Sequence, residues 1–364
     1  MIDYDAFASL DVAEELSFAS LDRITAPGDL VDRALERREA ASLGIPMPWS
    51  KLENLFRLRP GELVLLGGYS GHGKSAVANQ LALHAAANGY KVGIASLELP
   101  AEYVFDQMAG VAGCVQDPHE HWMRRFGYWA NDKIFFYDKV DAITPNEALQ
   151  MIIGLRKFHG CDLIVLDALM MVAGMGDDLE AEKLFTQRLA EVCKAFDVCV
   201  LLVAHLRKPS GGDGENKTPS KFDFLGSSNI LNVASSAVLI HDNKEKAYAR
   251  SQGHEVDDTV GDTRFIVAKQ RYAAYEGVTH LFKHDRCRAL CNNRQRQYRP
   301  IDIGAEDGWR RKKEEVCQSD ARPTGGSALD EITDIFLMKK SPETTPKIEQ
   351  PTPRTGTASH SQQR

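Results

Sequence analysis

Glu62-Leu63-Val64-Leu65-Leu66-Gly67-Gly68-Tyr69-Ser70-Gly71-His72-Gly73-Lys74-Ser75 is the stretch that decides the reading of this chain. Its second half, Gly68 to Ser75, fits G-x-x-x-x-G-K-[ST], the P-loop pattern. The apolar run before it reads as a buried strand, and Ala76 to Ala87 after it reads as a helix. That context separates a P-loop from a Gly-rich turn that happens to contain Lys-Ser. Glycines let backbone N–H groups turn inward around phosphate oxygens, and the helix N-terminus adds partial positive charge. The candidate phosphate-binding residues are therefore Gly68, Ser70, Gly71, His72, Gly73, Lys74, Ser75 and Ala76. Lys74 would reach the terminal phosphates and Ser75 would hold Mg²⁺.

Outward from this stretch, further apolar runs alternate with helical segments: Lys91–Leu97, Leu163–Leu166, Val198–Val203, Ala237–Ile240 and Arg264–Ala268. The alternation predicts an α/β fold, a mostly parallel sheet with helices on both faces. In such a sheet ligands bind beyond the carboxyl ends of the strands. The first run leads into the P-loop, and the next three end in Glu98, Asp167 and His205; the last ends in Lys269 and Arg271. The expectation is that these polar residues gather at one edge, around one nucleotide.

Each has a chemical reading beside a plainer one. Asp167 closes Leu163-Ile164-Val165-Leu166-Asp167, four apolar residues and an acid about a hundred residues after the P-loop, as a Mg²⁺-ordering carboxylate does. Glu98 would polarise an attacking water, or else serve as an acid at the start of the next helix. His205 would touch a terminal phosphate, or else make a structural hydrogen bond. The loop from Arg207 to Lys221 carries Arg207, Lys208, Lys217 and Lys221, which reads as a mobile grip on phosphates or as a solvated loop. Lys269 and Arg271 would stabilise transition-state charge, in cis or from a neighbouring subunit, or form surface ion pairs.

The 364 residues carry a net charge of −7, so any nucleic-acid contact must be local rather than spread over a basic surface. No apolar run is long enough to cross a bilayer, and the acidic start, Met1-Ile2-Asp3-Tyr4-Asp5, lacks the basic opening of a secretory signal. Seven cysteines are scattered without a C-x-x-C pair; Cys161 and Cys199 read as buried apolar residues, and Cys287 and Cys291 stand isolated. The expected organisation is a polar N-terminal segment (1–28), a linker helix (29–47) with Leu30, Val31, Ala34 and Leu35 at helical spacing, a core domain (48–302) and a charged, largely disordered tail (303–364). Within the tail, Leu329 to Met338 forms a hydrophobic-acidic island that would either bind a partner or pack back on its own domain.

Taken together the motifs resemble the hexameric replicative DNA helicases with a RecA-type motor: the DnaB type, the Twinkle type and the helicase half of phage helicase-primases. The resemblance spans about Gly44 to Asn293. It rests on Gly44-Ile45-Pro46 leading to Leu58-Arg59-Pro60-Gly61-Glu62 and the P-loop, on Ser96-Leu97-Glu98-Leu99-Pro100, on Cys161 to Asp167, on Ala204-His205-Leu206-Arg207-Lys208-Pro209, on Gly226-Ser227-Ser228-Asn229-Ile230, and on Ala268-Lys269-Gln270-Arg271. It implies ATP and Mg²⁺ as cofactors, Glu98 as water activator, His205 as γ-phosphate sensor, and Arg271 as a finger into a neighbour's site with Lys269 assisting. It implies that Arg207, Lys208, Lys217, Lys221, Gly226 and Ser227 meet DNA in the channel of a homo-hexamer. The segment from Asp29 to Ala41 would pack on the adjacent subunit. Also implied are single-stranded and forked DNA as substrates, a cytoplasmic location (the host's, if phage-encoded), no membrane, and a primase, polymerase or loader reached through the tail. Two departures stand out: the N-terminal segment is too short for a helical collar, and Leu225 stands where phage helicases often carry a basic residue. The alternatives are a RadA-like recombination or repair ATPase, and a DNA-bound scaffold whose assembly ATP controls without unwinding.

Overall fold

The core strands are apolar at nearly every position because both of their faces are covered. The computed structural model describes residues 7, 10–18, 26–172, 174, 178–207, 214–224 and 228–304. A small antiparallel pair, β1 (Ile45–Pro46) and β2 (Arg57–Leu58), precedes the main sheet. Then come β3 (Leu63–Gly68), β4 (Val92–Ser96), β5 (Ile134–Phe136), β6 (Leu163–Asp167), β7 (Cys199–His205) and β8 (Ser236–Asp242), followed by β9 (Thr263–Gln270), β10 (Gly277–Lys283) and β11 (Leu290–Cys291). Among the described residues these form a nine-stranded sheet in the order β11-β10-β9-β8-β3-β7-β6-β4-β5.

Side chains alternate across this sheet as a two-residue repeat requires. Val64, Leu66, Val165 and Leu201 pack on one face with α3 (Lys74–Ala87), α4 (Ala101–Gly113) and α5 (Glu120–Ala130). Leu65, Ile164, Val200 and Leu239 pack on the other with α6 (Pro145–His159), α7 (Leu179–Ala195) and Ile230 of α8 (Ser228–Val233). Local signals set the ends of these helices. Thr144 accepts the Glu147 N–H (3.1 Å) ahead of α6, Gly160 closes it with φ of 70°, and Asp178 accepts two N–H groups ahead of α7.

The sheet is parallel from β8 through β5 and antiparallel at the flank formed by β9, β10 and β11. This corrects the expectation that the Lys269–Arg271 end joins the other strand ends. The link from β8 to β9 holds only α9 (Lys244–Ser251), eight residues. The chain does not cross back over the sheet to the far edge. Instead β9 starts where β8 stops, with Thr263 opposite Asp242, and ends where β8 begins, with Gln270 opposite Ser236.

The polar N-terminal segment holds an anchor that its composition hid. Phe7 and Val12 are buried, Val12 opening the helix α1 (Val12–Phe18), and Phe7 lies so close over α6 that a Cβ on Gly154 would stand 2.4 Å from its ring. The expected linker helix is α2 (Leu30–Leu43), entered through a 3-10 turn at Pro27–Asp29, with Leu30, Val31 and Leu35 exposed. Lys208, Gly226, Ser227, Leu225, the tail from 305 and its island at 329–338 lie outside the described residues. No described helix is long and apolar enough to cross a membrane.

Candidate active site

The site starts where β3 runs out. Gly71 and Gly73 have φ of 71° and 83°, Gly73 being the residue before α3. An L side chain in this region is strained, so the turn that aims successive N–H groups inward needs glycine. Lys74, in the first turn of α3, is 7% exposed, and its Nζ donates to the Tyr69 carbonyl at 3.1 Å, which keeps the ammonium at the loop.

Parallel neighbours bring the remaining groups. β4, β6 and β7 lie side by side next to β3. The residues at their ends, Glu98, Asp167 and His205, line a cavity of about 300 Å³ with Ser70, Gly71, Gly73, Lys74, Ser75 and Ala76. His205 Nε2 donates to Glu98 Oε1 at 3.4 Å. That bond holds the Glu98 carboxyl below its usual value; burial works against it, and the charges of His205 and Lys74 add to it. Asp167 behaves oppositely. Burial raises its pKa, while the hydrogen bond from the Ser75 hydroxyl and the nearby Lys74 charge pull the other way. Two carboxyls at one cavity are thus pushed apart in acidity, a division that suits one to be a ready base and the other a buried ligand. Glu98 does not cap the next helix: Pro100 is the residue before α4, with no side-chain cap there.

The hydroxyl–carboxylate pair Ser75–Asp167, at a helix start beside a buried lysine, supplies hard oxygen donors of the kind Mg²⁺ takes. The residues present therefore fit that cation. Among the described residues no group of three or more His, Cys, Asp or Glu side chains could hold a metal ion by itself.

Some sequence candidates are placed differently. Gly68 and His72 do not line the cavity. Gly68 is needed for close approach, since a Cβ there would meet the Ile240 carbonyl oxygen at 2.8 Å and Lys74 Cγ at 3.0 Å. The His72 ring is fully buried, accepts the Asp242 N–H at Nδ1 (3.0 Å) and stacks on His241 with centroids 5.2 Å apart. It ties the P-loop to the end of β8, and Lys244 does the same from α9, donating to the Gly71 carbonyl at 2.7 Å. In turn, Gln107 of α4 and Arg288 line the cavity, and no sequence motif pointed to either. Gln107 sits beside the buried Met108 on a mostly apolar helix, a signal available in the sequence; Arg288 lies in a turn with no motif around it. Arg288, Gly71, Gly73 and Ala76 also border a second cavity of about 440 Å³, walled by Val77, Ile240, Ala289 and Leu290.

Lys269 and Arg271 stand at the other edge. The Arg271 N–H bonds the Ser235 carbonyl, and the Ser235 N–H bonds the carbonyl of Leu63, the first residue of β3. The P-loop lies at the far end of that strand, roughly 16 Å away at about 3.3 Å per residue. Lys269 Nζ donates to the carbonyls of Leu231 and Ala234, the latter at 2.8 Å, and Arg271 donates to that of Asn232. Of the loop cations, Arg207 and Lys217 are exposed, and Lys221 pairs with Glu276 at 3.3 Å.

A RecA-like sheet with a P-loop at one strand end and two carboxylates beside it defines the class, a P-loop nucleotide-binding protein. The family described as DnaB-like helicase C terminal domain matches residues 44–289, well over half of the chain. The chain belongs to that family. It is 24% identical over 235 residues to a DNA helicase/primase of Enterobacteria phage T3, a match that covers 60% of this chain and 42% of the phage protein. The chain thus spans less than half of that relative. In fold it is similar to a solved structure described as an ATPase domain (TM-score 0.61, 18% identity, 74% of this chain and 99% of that one). It is also similar to a DnaB-like replicative helicase solved with attention to its interactions with primase (TM-score 0.59, 16% identity, 77% of this chain and 70% of that one).

Proposed function

We propose that the protein is an ATP-hydrolysing motor that assembles head to tail, as a homo-hexameric ring, and moves on single-stranded DNA to part a fork. The observation that carries this reading is the placement of Arg271 at the sheet edge opposite the P-loop. A guanidinium there cannot reach the nucleotide of its own chain, but a head-to-tail interface sets one copy's opening edge against another's closing edge. Such contacts close into rings or wind into filaments.

Within one copy, the N–H groups of the loop and Lys74 hold the phosphates of ATP, and the 440 Å³ cavity receives the nucleoside. Ser75 and Asp167 would hold Mg²⁺, which when bound neutralises phosphate charge. Glu98 accepts the proton of the attacking water, kept ionised by His205. His205 leads directly into the Arg207 loop, so loss of the terminal phosphate has a short path to the cations that grip DNA. The exposed Leu30, Val31 and Leu35 of α2 supply an apolar stripe for the neighbouring copy.

The test is strand displacement on forked DNA with ATP and Mg²⁺, with assembly size measured in parallel. Displacement by a six-membered assembly with DNA-stimulated hydrolysis is expected. DNA-stimulated hydrolysis in filaments without displacement would instead favour the recombination-ATPase reading, and hydrolysis indifferent to DNA would favour the scaffold.

A further inference from the structure

Phe222 is the most exposed of the large apolar side chains in the described residues, at 77%. Single exposed apolar residues are ordinary on protein surfaces, so exposure alone decides nothing. What distinguishes Phe222 is the support beneath it. It is the middle residue of a 3-10 turn, Lys221–Asp223, closed by a capping box. Ser220 Oγ accepts the Phe222 N–H at 3.3 Å, and Asp223 Oδ2 accepts the Ser220 N–H at 2.6 Å and its hydroxyl at 3.0 Å. The Asp223 carbonyl accepts the Arg207 N–H at 2.7 Å, and Leu206 pairs with Phe224 as an antiparallel bridge. Phe224 turns inward and is buried, with its ring so near β3 that a Cβ on Gly67 would stand 2.6 Å away. One aromatic anchors the segment in the core, and the other is held out from it.

Charge names the ligand. From Arg207 to Lys221 the loop carries four cations, Arg207, Lys208, Lys217 and Lys221, against two acids, Asp213 and Glu215, in a chain whose net charge is −7. An aromatic held out on a capped turn next to Lys221, at the end of a loop whose sequence is rich in cations, matches the way proteins hold single-stranded nucleic acid, with cations tracking phosphates and rings stacking on bases. A second copy of an acidic chain offers no such match. We propose that Phe222 is a stacking platform for a base of single-stranded DNA, an inference that rests on the translocase reading and adds a non-electrostatic contact to it. Because every base has a π-face, this contact tolerates any sequence, as a motor's grip must.

The test compares two polymers of equal length, oligothymidylate and its abasic counterpart with the same phosphates. Wild-type protein should bind the first more tightly. The Phe222→Ala chain should lose about tenfold in affinity for oligothymidylate and nothing for the abasic polymer, and Phe222→Trp should restore the loss. The slope of affinity against salt should stay unchanged in Phe222→Ala but fall in Lys217→Ala, which removes a phosphate contact. Equal losses on both polymers, or a smaller assembly for Phe222→Ala, would overturn the platform and point to an interface between copies. Wild-type protein that binds neither polymer would overturn the translocase reading and the platform with it; a failed platform on a protein that binds both leaves the motor standing.

Discussion

The two edges of the central sheet are built on opposite plans. At the edge where the parallel strands end, groups arrive from four adjacent strands and face one cavity, in which Glu98 and His205 meet across 3.4 Å. At the edge where those strands begin, the cations are turned onto their own backbone, Lys269 and Arg271 onto the carbonyls that finish α8. The first edge converges on a cavity, while the second ties its charges to its own chain. On the proposed reading, docking of a second copy would turn the second edge into part of an active site, and nucleotide turnover would be a property of the assembly.

The comparison breaks most sharply at the two arginines. Arg271→Ala is expected to lower ATP turnover by about 10³–10⁵-fold, the range for a removed arginine finger. Mixing it with Lys74→Ala chains should restore activity, because each defective copy then supplies what the other lacks. Arg288 already lines the cavity of its own chain, so it is the rival for that role. Arg288→Ala should mainly raise KM; if it instead abolishes kcat while Arg271→Ala is mild, the catalytic cation acts in cis and the two-edge account fails.

A milder change probes the carboxylates. Glu98→Gln should keep ATP binding and lower turnover about 10²–10⁴-fold, the usual share of a general base. The pH profile tests whether Glu98 is the base. Its pKa is lowered chiefly by the His205 hydrogen bond, so the ionised, active form persists to lower pH than an ordinary carboxylate allows. Removing that partner with His205→Ala raises the Glu98 pKa, and activity should then fail earlier as pH falls. The acid limb of kcat/KM measured against pH reads this directly; an unmoved limb would detach His205 from Glu98.

How much of this was legible beforehand differs between the same two edges. The closing edge was readable because each strand of a parallel layer carries its own punctuation: an apolar run and then one polar residue, Asp167 or His205. The opening edge was misread because Arg264–Ala268 looks like another such strand, and strand direction is not written in its residues. Direction follows from how β9 pairs with β8, and the residues of the link between them do not announce that pairing. His72 shows the same limit at finer grain. The P-loop pattern leaves its position free, and a buried stack on His241 from 169 residues later (241 less 72) decides where the ring goes. Nor could spacing reveal that the thiol of Cys114, at the end of α4, donates to the Tyr298 carbonyl at 3.3 Å, 184 residues away. Phe7 was hidden for the opposite reason, since a polar segment carried one ring that fits over a glycine of α6.

The smallest expected effect concerns what holds the second edge's charges in place. Lys269 Nζ serves carbonyls of Leu231 and Ala234 at the end of α8, a helix of six residues that needs outside support. Lys269→Met keeps much of the stem's length and removes the donors, so unfolding in urea should show a loss of about 1.5–3 kcal/mol, the usual scale for hydrogen bonds to a charged group. The size of the loss should depend on pH. Burial, aided by the charges of Arg271 and Lys221, pushes the Lys269 ammonium down to about 8 in the folded chain. In the unfolded chain it titrates near its ordinary value of about 10.4. Between those two values the unfolded state binds the extra proton, so wild-type stability gains with rising pH a contribution the variant lacks. The gap between wild type and Lys269→Met should therefore be constant below pH about 7 and widen as pH rises from about 8 towards 10. A gap that narrows over that range would mean that the carbonyls at the end of α8 dominate, keeping the ammonium charged in the folded protein above pH about 8, where the opening edge would then still hold two positive charges.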